Sequence, residues 1–172
     1  MRKKVLLWGA VVVVILGAFG LYWFQPWKLF TSKTINDTAP AIATAAPPSA
    51  TAAATATLLG EGTLITHEHT TSGTAQLVRL PDGKVQLVLT NLSTSDGPDL
   101  RVWLTDQPVL EGKAGWHVFD DGKYVELGRL KGTHGTQVYD VPADVQPDQY
   151  TSVTIWCKRF SVSFGAASLA AA

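Results

Sequence analysis

The chain has 172 residues with 14 basic and 14 acidic side chains, so its formal net charge is zero and no bulk electrostatic case exists for nucleic acid or other polyanionic partners. It carries one cysteine, Cys157, and one methionine, Met1, which removes an internal disulfide and a His/Met haem site from the later segments. Iron–sulfur clusters need about four thiolates and c-type haem attachment needs C-x-x-C-H, and the sequence has neither.

The first element is the uncharged run from Val5 to Phe24. At about 1.5 Å per residue such a run makes a helix of about 30 Å, the thickness of a bilayer core. It is longer than the apolar region of a signal peptide, which is about 7–15 residues. It also closes on Leu21, Tyr22, Trp23, Phe24 and Trp27, which suit an interfacial belt and resemble no cleavage site. Arg2, Lys3 and Lys4 precede the run and stay in the cytoplasm by the positive-inside rule. Residues 1–30 are therefore expected to be a cytoplasmic tip and single transmembrane anchor, with everything after them extracytoplasmic at the cell membrane.

Residues 31–58 change to alanine and threonine with Pro40, Pro47 and Pro48, and no aromatic residue occurs there. Such a stretch buries too little apolar surface to offset its ordering entropy. It is expected to be a disordered tether spanning about 30 Å.

Residues 59–172 read as β throughout. In "KVQLVLT" Val85, Leu87 and Leu89 alternate with polar residues, and "LPDGK" before it is a hairpin turn ending on Gly83. "DLRVWLT" turns Leu100, Val102 and Leu104 inward, and "KYVEL", "TQVYDV" and "YTSVTIW" follow at about ten-residue intervals with Gly and Pro between them. This spacing predicts an all-β domain, an antiparallel sandwich or barrel. Gly97, Gly132 and Gly135 are expected where the chain turns sharply. Val153, Ile155 and Cys157 share one face, whereas Phe160, Val162 and Phe164 have the opposite parity. A β-bulge or tight bend is therefore expected near Lys158 and Arg159, with Cys157 the last inward residue before it.

"HTTSGTAQLVRLPDGK", "GPDLRVWL", "LGRLKGTHGTQVYDVP" and "YTSVTIWCKRFSVSFGAASL" follow one another as in the electron-transfer DM domain family, the DM-thirteen type, which the chain resembles from about Gly60 to Leu169. The resemblance implies an extracellular or membrane-tethered domain whose single cysteine, here Cys157, has a redox or haem-ligand role. The family's H-x-x-S-G histidine corresponds to His69, followed by Ser72 and Gly73.

His67 and His69, two apart in "THEHT", would share one side of a strand and make a two-ligand start for zinc or copper; an exposed polar edge is the alternative. A blue-copper site would join Cys157 to two histidines, but no histidine follows Cys157 to make the usual short loop. A haem held by the Cys157 thiolate is a further possibility, with His69 as a cofactor contact. For the thiol itself, Lys158 and Arg159 favour thiolate if their charges reach it, and burial beside Ile155 and Trp156 opposes it. Three function classes stay open. One is an extracytoplasmic redox or electron-transfer module centred on Cys157, working with a redox partner protein. Another is a non-catalytic adhesion or ligand-binding sandwich with a structural cysteine. The third is an enzyme using Cys157 and His69 as nucleophile and base.

Overall fold

The computed structural model of the chain describes residues 2–42 and 55–171. Helix α1 (Arg2–Phe24) contains an uncharged, unburied apolar stretch, making it the one helix among the described residues long and apolar enough to cross a membrane. Gln25, at φ +45°, ends the helix, and Pro26 opens a 3-10 turn, Pro26–Phe30.

From there the chain does not hang free. Strand β1 (Thr34–Asn36) runs parallel to β8 (His134–Val141), with Thr34 opposite His134. Ile42 then bridges Ala56, whose N–H donates to the Ala41 carbonyl at 2.8 Å, and β2 starts at once (Thr57–Thr63). Within the span expected to be a tether, residues 34–36, 42 and 56–58 are thus paired in strands or bridges. Composition hides this because the open backbone edge of β8 pairs with any extended segment, and Ile42 needs only Ala56, Val78, Val88 and their neighbours to cover. Residues 43–54 lie outside the described residues.

The remaining strands are β3 (Ile65–Thr66), β4 (Ser72–Arg79), β5 (Val85–Ser93), β6 (Leu100–Thr105), β7 (Tyr124–Arg129), β9 (Ser152–Cys157), β10 (Val162–Ser168) and β11 (Ala170–Ala171). Among the described residues they form two sheets, ordered β1-β8-β5-β4-β2-β11 and β3-β10-β9-β6-β7. Every named pair is antiparallel except β1–β8. The sheets face each other across one core, to which Leu77, Leu87, Leu89 and Tyr139 contribute from one side and Val102, Val153, Ile155 and Cys157 from the other. The all-β expectation holds, and the period-two faces over Val85–Leu89 and Leu100–Leu104 are the ones that join the central core.

The second sheet is buried on its outer face as well. Trp103, Trp156 and Ala166 lie there beneath Phe119, which the loop between β6 and β7 carries over them. All six residues of β9 are consequently buried.

Of the three glycines expected at sharp turns, only Gly135 has positive φ, at +97°. Gly132 and Gly97 are needed for close approach instead. A Cβ at Gly132 would lie 2.6 Å from the Lys33 carbonyl oxygen, and one at Gly97 would lie 3.0 Å from Phe164 Cζ.

Candidate functional site

Cys157 ends β9, and the four residues Lys158–Ser161 turn the chain back into β10. The Phe160 N–H closes the turn on the Cys157 carbonyl at 3.2 Å, and Ser161 takes φ +48°. The parity change after Cys157 is therefore a hairpin. The bulge of this pair comes later, at Phe164, where the register shifts between Ser163 and Gly165.

In the sheet Cys157 lies opposite Leu100 of β6 and Val162 of β10, so three core side chains stand in a row, and the cysteine is fully buried. Burial pushes the Cys157 thiol pKa up; backbone hydrogen bonds from Phe160, Asp99 and Arg159 pull it part of the way back. The adjacent cations are engaged elsewhere. Lys158 Nζ bonds Glu126 at 3.1 Å, and Arg159 Nη1 donates to the Tyr22 and Trp23 carbonyls at 3.1 and 2.8 Å.

Those last contacts cap the carboxyl end of α1, where unpaired carbonyls favour a cation. The Arg159 guanidinium also lies 5.8 and 5.4 Å from the Tyr22 and Trp23 ring centres, and Phe24 stacks on Phe160 with centroids 5.6 Å apart. Lys28 Nζ reaches Asp96 at 3.3 Å and the Gly97 carbonyl at 3.0 Å. Residues 24–31 form a strap that binds the helix end to the Cys157 end of the sandwich. Between strap and sandwich is a cavity of about 490 Å³, walled by Phe24, Leu29, Trp116, Phe160, Val162 and Phe164, with His69 and Asp96 among its polar lining.

His67 and His69 part company. The chain leaves β3 after Thr66 and bends, so His67 packs on Phe119 (centroids 5.8 Å apart) whereas His69 lies on Phe164 (3.9 Å). His67 is buried with both ring nitrogens used. Its Nε2 donates to the Leu110 carbonyl at 3.0 Å, and its Nδ1 accepts from Ser163 Oγ at 2.8 Å. His69 Nε2 sits 2.6 Å from Glu68 Oε2. No group of three or more His, Cys, Asp or Glu among the described residues is placed to hold a metal ion.

Burial lowers the His67 pKa from its ordinary 6.5, opposed by the Leu110 carbonyl. The unfolded chain therefore takes up a proton that the folded domain resists. Domain stability should fall as pH drops below about 6.5. Urea midpoints at pH 7.5 and 5.5 should differ less in His67→Gln than in the wild type. An equal drop in both would remove His67 from the acid response.

The residues do not fit a thiolate-held haem, because Val162 and Leu100 flank the sulfur and Cys157 is not part of the cavity wall. Nor do they fit blue copper, since both His67 nitrogens are occupied by protein groups. Of the residues lining this cavity, sequence reasoning singles out His69 as a candidate but not the strap, Trp116 or Phe164. Trp116, an aromatic residue in a Gly-rich loop, is the one readable sign of that wall.

The Electron transfer DM13 family matches residues 63–169, which is more than half of the chain, and the chain belongs to that family. No curated protein and no solved structure matches it.

Proposed function

We propose that this is a single-pass membrane protein whose helix α1 holds an extracytoplasmic DM13 electron-transfer domain at the membrane surface, with Cys157 as the group that exchanges electrons. The observation that carries this reading is the setting of the sulfur. It is fully buried, which raises its pKa, and the backbone groups of Phe160, Asp99 and Arg159 offset that rise in part. With one cysteine in the chain, a two-electron step takes its second sulfur from a partner's disulfide. The Cys157 thiol gives its proton to solvent and its thiolate attacks; the new S–S bond forms, the partner's S–S bond breaks, and the partner's thiolate leaves carrying the electron pair. Opening of the Lys158–Ser161 turn would admit the partner.

Complete burial favours a second reading, an adhesion or ligand-binding sandwich in which Cys157 is a packing residue. Glutathione disulfide separates the two. Under the first reading the folded wild type gains one glutathione and Cys157→Ser gains none. Because burial raises the thiol pKa above its ordinary 9.0, the reaction should keep accelerating with pH where an exposed thiol levels off. A wild type that gains glutathione only after unfolding would establish the packing role.

A further inference from the structure

The outer side of the strap is apolar and open. Trp27 is 50%, Leu29 59% and Phe30 90% exposed, and no residue of the Pro26–Phe30 turn is buried. Phe160, 38% exposed, adds a large apolar group from the sandwich. We propose that these side chains are sunk in the phospholipid headgroup layer of the leaflet from which α1 emerges, so that the sandwich stands on the bilayer on its Cys157 end. This rests on the membrane-anchor reading above and deepens it, because an anchor alone leaves the height and orientation of a domain free.

Three observations name the bilayer as the cover. The first is reach. Pro26–Phe30 is a 3-10 turn that begins two residues after the end of α1. Such a turn rises about 2 Å per residue, which keeps Phe30 within about 12 Å of Phe24. The headgroup layer there is about 5–8 Å thick, so side chains of this size extend into it. The second is depth. Arg159 Nη1 donates to the Tyr22 and Trp23 carbonyls, and Phe160 stacks on Phe24. Those three helix residues belong to the aromatic belt read from the sequence, so the Lys158–Ser161 turn meets the same level from the sandwich side.

The third is charge. Beside the strap a cleft of about 220 Å³ is lined by Lys28, Lys33, Arg129 and Lys131, opposed in that lining by Asp96 and Asp99. Lys33 and Arg129 are exposed and can turn toward phosphates. Exposed aromatic rings beside cations suit a layer in which phosphates overlie acyl chains. A second copy of the chain on a two-fold axis would instead set these cations against one another.

The test uses the full chain in nanodiscs of phosphatidylcholine and phosphatidylglycerol, with a phosphatidylcholine that carries a diazirine next to its ester carbonyls. On illumination the diazirine loses N2, and the carbene left behind inserts into bonds of the nearest side chain. Peptide mapping should find label on Trp27–Phe30 and on Phe160 as well as at the end of α1. The Pro81–Lys84 turn, which joins the far ends of β4 and β5, should stay unlabelled. Leu29→Gln combined with Phe30→Gln, both at exposed positions, should strip most of the label from the strap, whereas Phe30→Trp should keep it. Label on α1 with none on the strap or Phe160 would overturn the proposal and leave the anchor standing. Strap label unchanged by the double substitution, or a strap shielded in crosslinked pairs of chains, would overturn it too. An unlabelled α1, or a mature chain whose mass lacks residues 1–24, would remove the anchor reading itself.

Discussion

Trp156→Ala should lower the stability of the domain by about 3–5 kcal/mol, the range for truncating a buried large aromatic. Trp156 is about 1% exposed and touches aromatic partners on two sides, Trp103 with centroids 5.2 Å apart and Phe119 edge-on at 6.2 Å. Its neighbours have little freedom to close the gap. Trp103 is held against Tyr124 at 4.0 Å, and Phe119 against His67 at 5.8 Å. The cavity would thus persist, and a loss of this size is a large fraction of the usual 5–15 kcal/mol for a domain. Urea unfolding with an unchanged slope would measure it. A loss below about 1 kcal/mol, the size of a surface change, would mean that the loop between β6 and β7 does not hold Phe119 over the sheet.

The second large effect should come from Gln137→Leu, which preserves bulk but removes the centre of a buried polar network. Gln137 is fully buried. Its Nε2 donates to the Gly132 carbonyl at 2.7 Å, and its Oε1 accepts from the Lys131 N–H at 3.1 Å and from Tyr139 Oη at 2.6 Å. Burial pushes the Tyr139 pKa well above its ordinary value, so its hydroxyl stays protonated and donates. Each buried group left without a partner costs about 1–3 kcal/mol. Gln137→Leu leaves the Gly132 carbonyl and the proton of the Tyr139 hydroxyl without these partners, whereas the Lys131 N–H still donates to Tyr139 Oη at 3.1 Å. Tyr139→Phe leaves the two Gln137 contacts to the loop and should cost less. If the two substitutions cost the same and add without coupling, the network is not one unit.

These cases also show where the sequence is legible. The alternation of Val85, Leu87 and Leu89, and of Leu100, Val102 and Leu104, identifies core faces without help, since every second side chain shares a face. The same rule places Cys157 inward. It is silent about β9's other face, because Thr154 and Trp156 are buried by a loop more than thirty residues earlier, which no local period announces. Gln137 and Tyr139 can be read as motif positions, but their purpose, closing the Lys131–Thr133 turn, emerges only when the side chains meet. The segment after the strap is the hardest case. Ala- and Thr-rich composition predicts a tether, yet a three-residue parallel pairing and one bridge bring the chain back to the sheet edge. Such contacts are backbone pairings of long sequence separation and leave no trace in composition. His67 and His69 fail as a pair for a related reason: the strand expected to align them ends at Thr66.

Raising the thiol pKa and lowering that of His67 have one origin, the loss of water around a charged form. At Cys157 the backbone groups of Phe160, Asp99 and Arg159 offset that loss only in part, and the proposed electron exchange requires the thiolate to form in spite of it. An equilibrium redox titration of the full chain in phospholipid nanodiscs examines it most directly. Samples poised with glutathione buffers are quenched in acid, unfolded, and mass-tagged so that free and glutathione-bound Cys157 are counted. The account predicts a single reversible transition, identical in the reducing and oxidising directions and missing in Cys157→Ser. A Cys157 that stays free at every potential while the domain remains folded would contradict it.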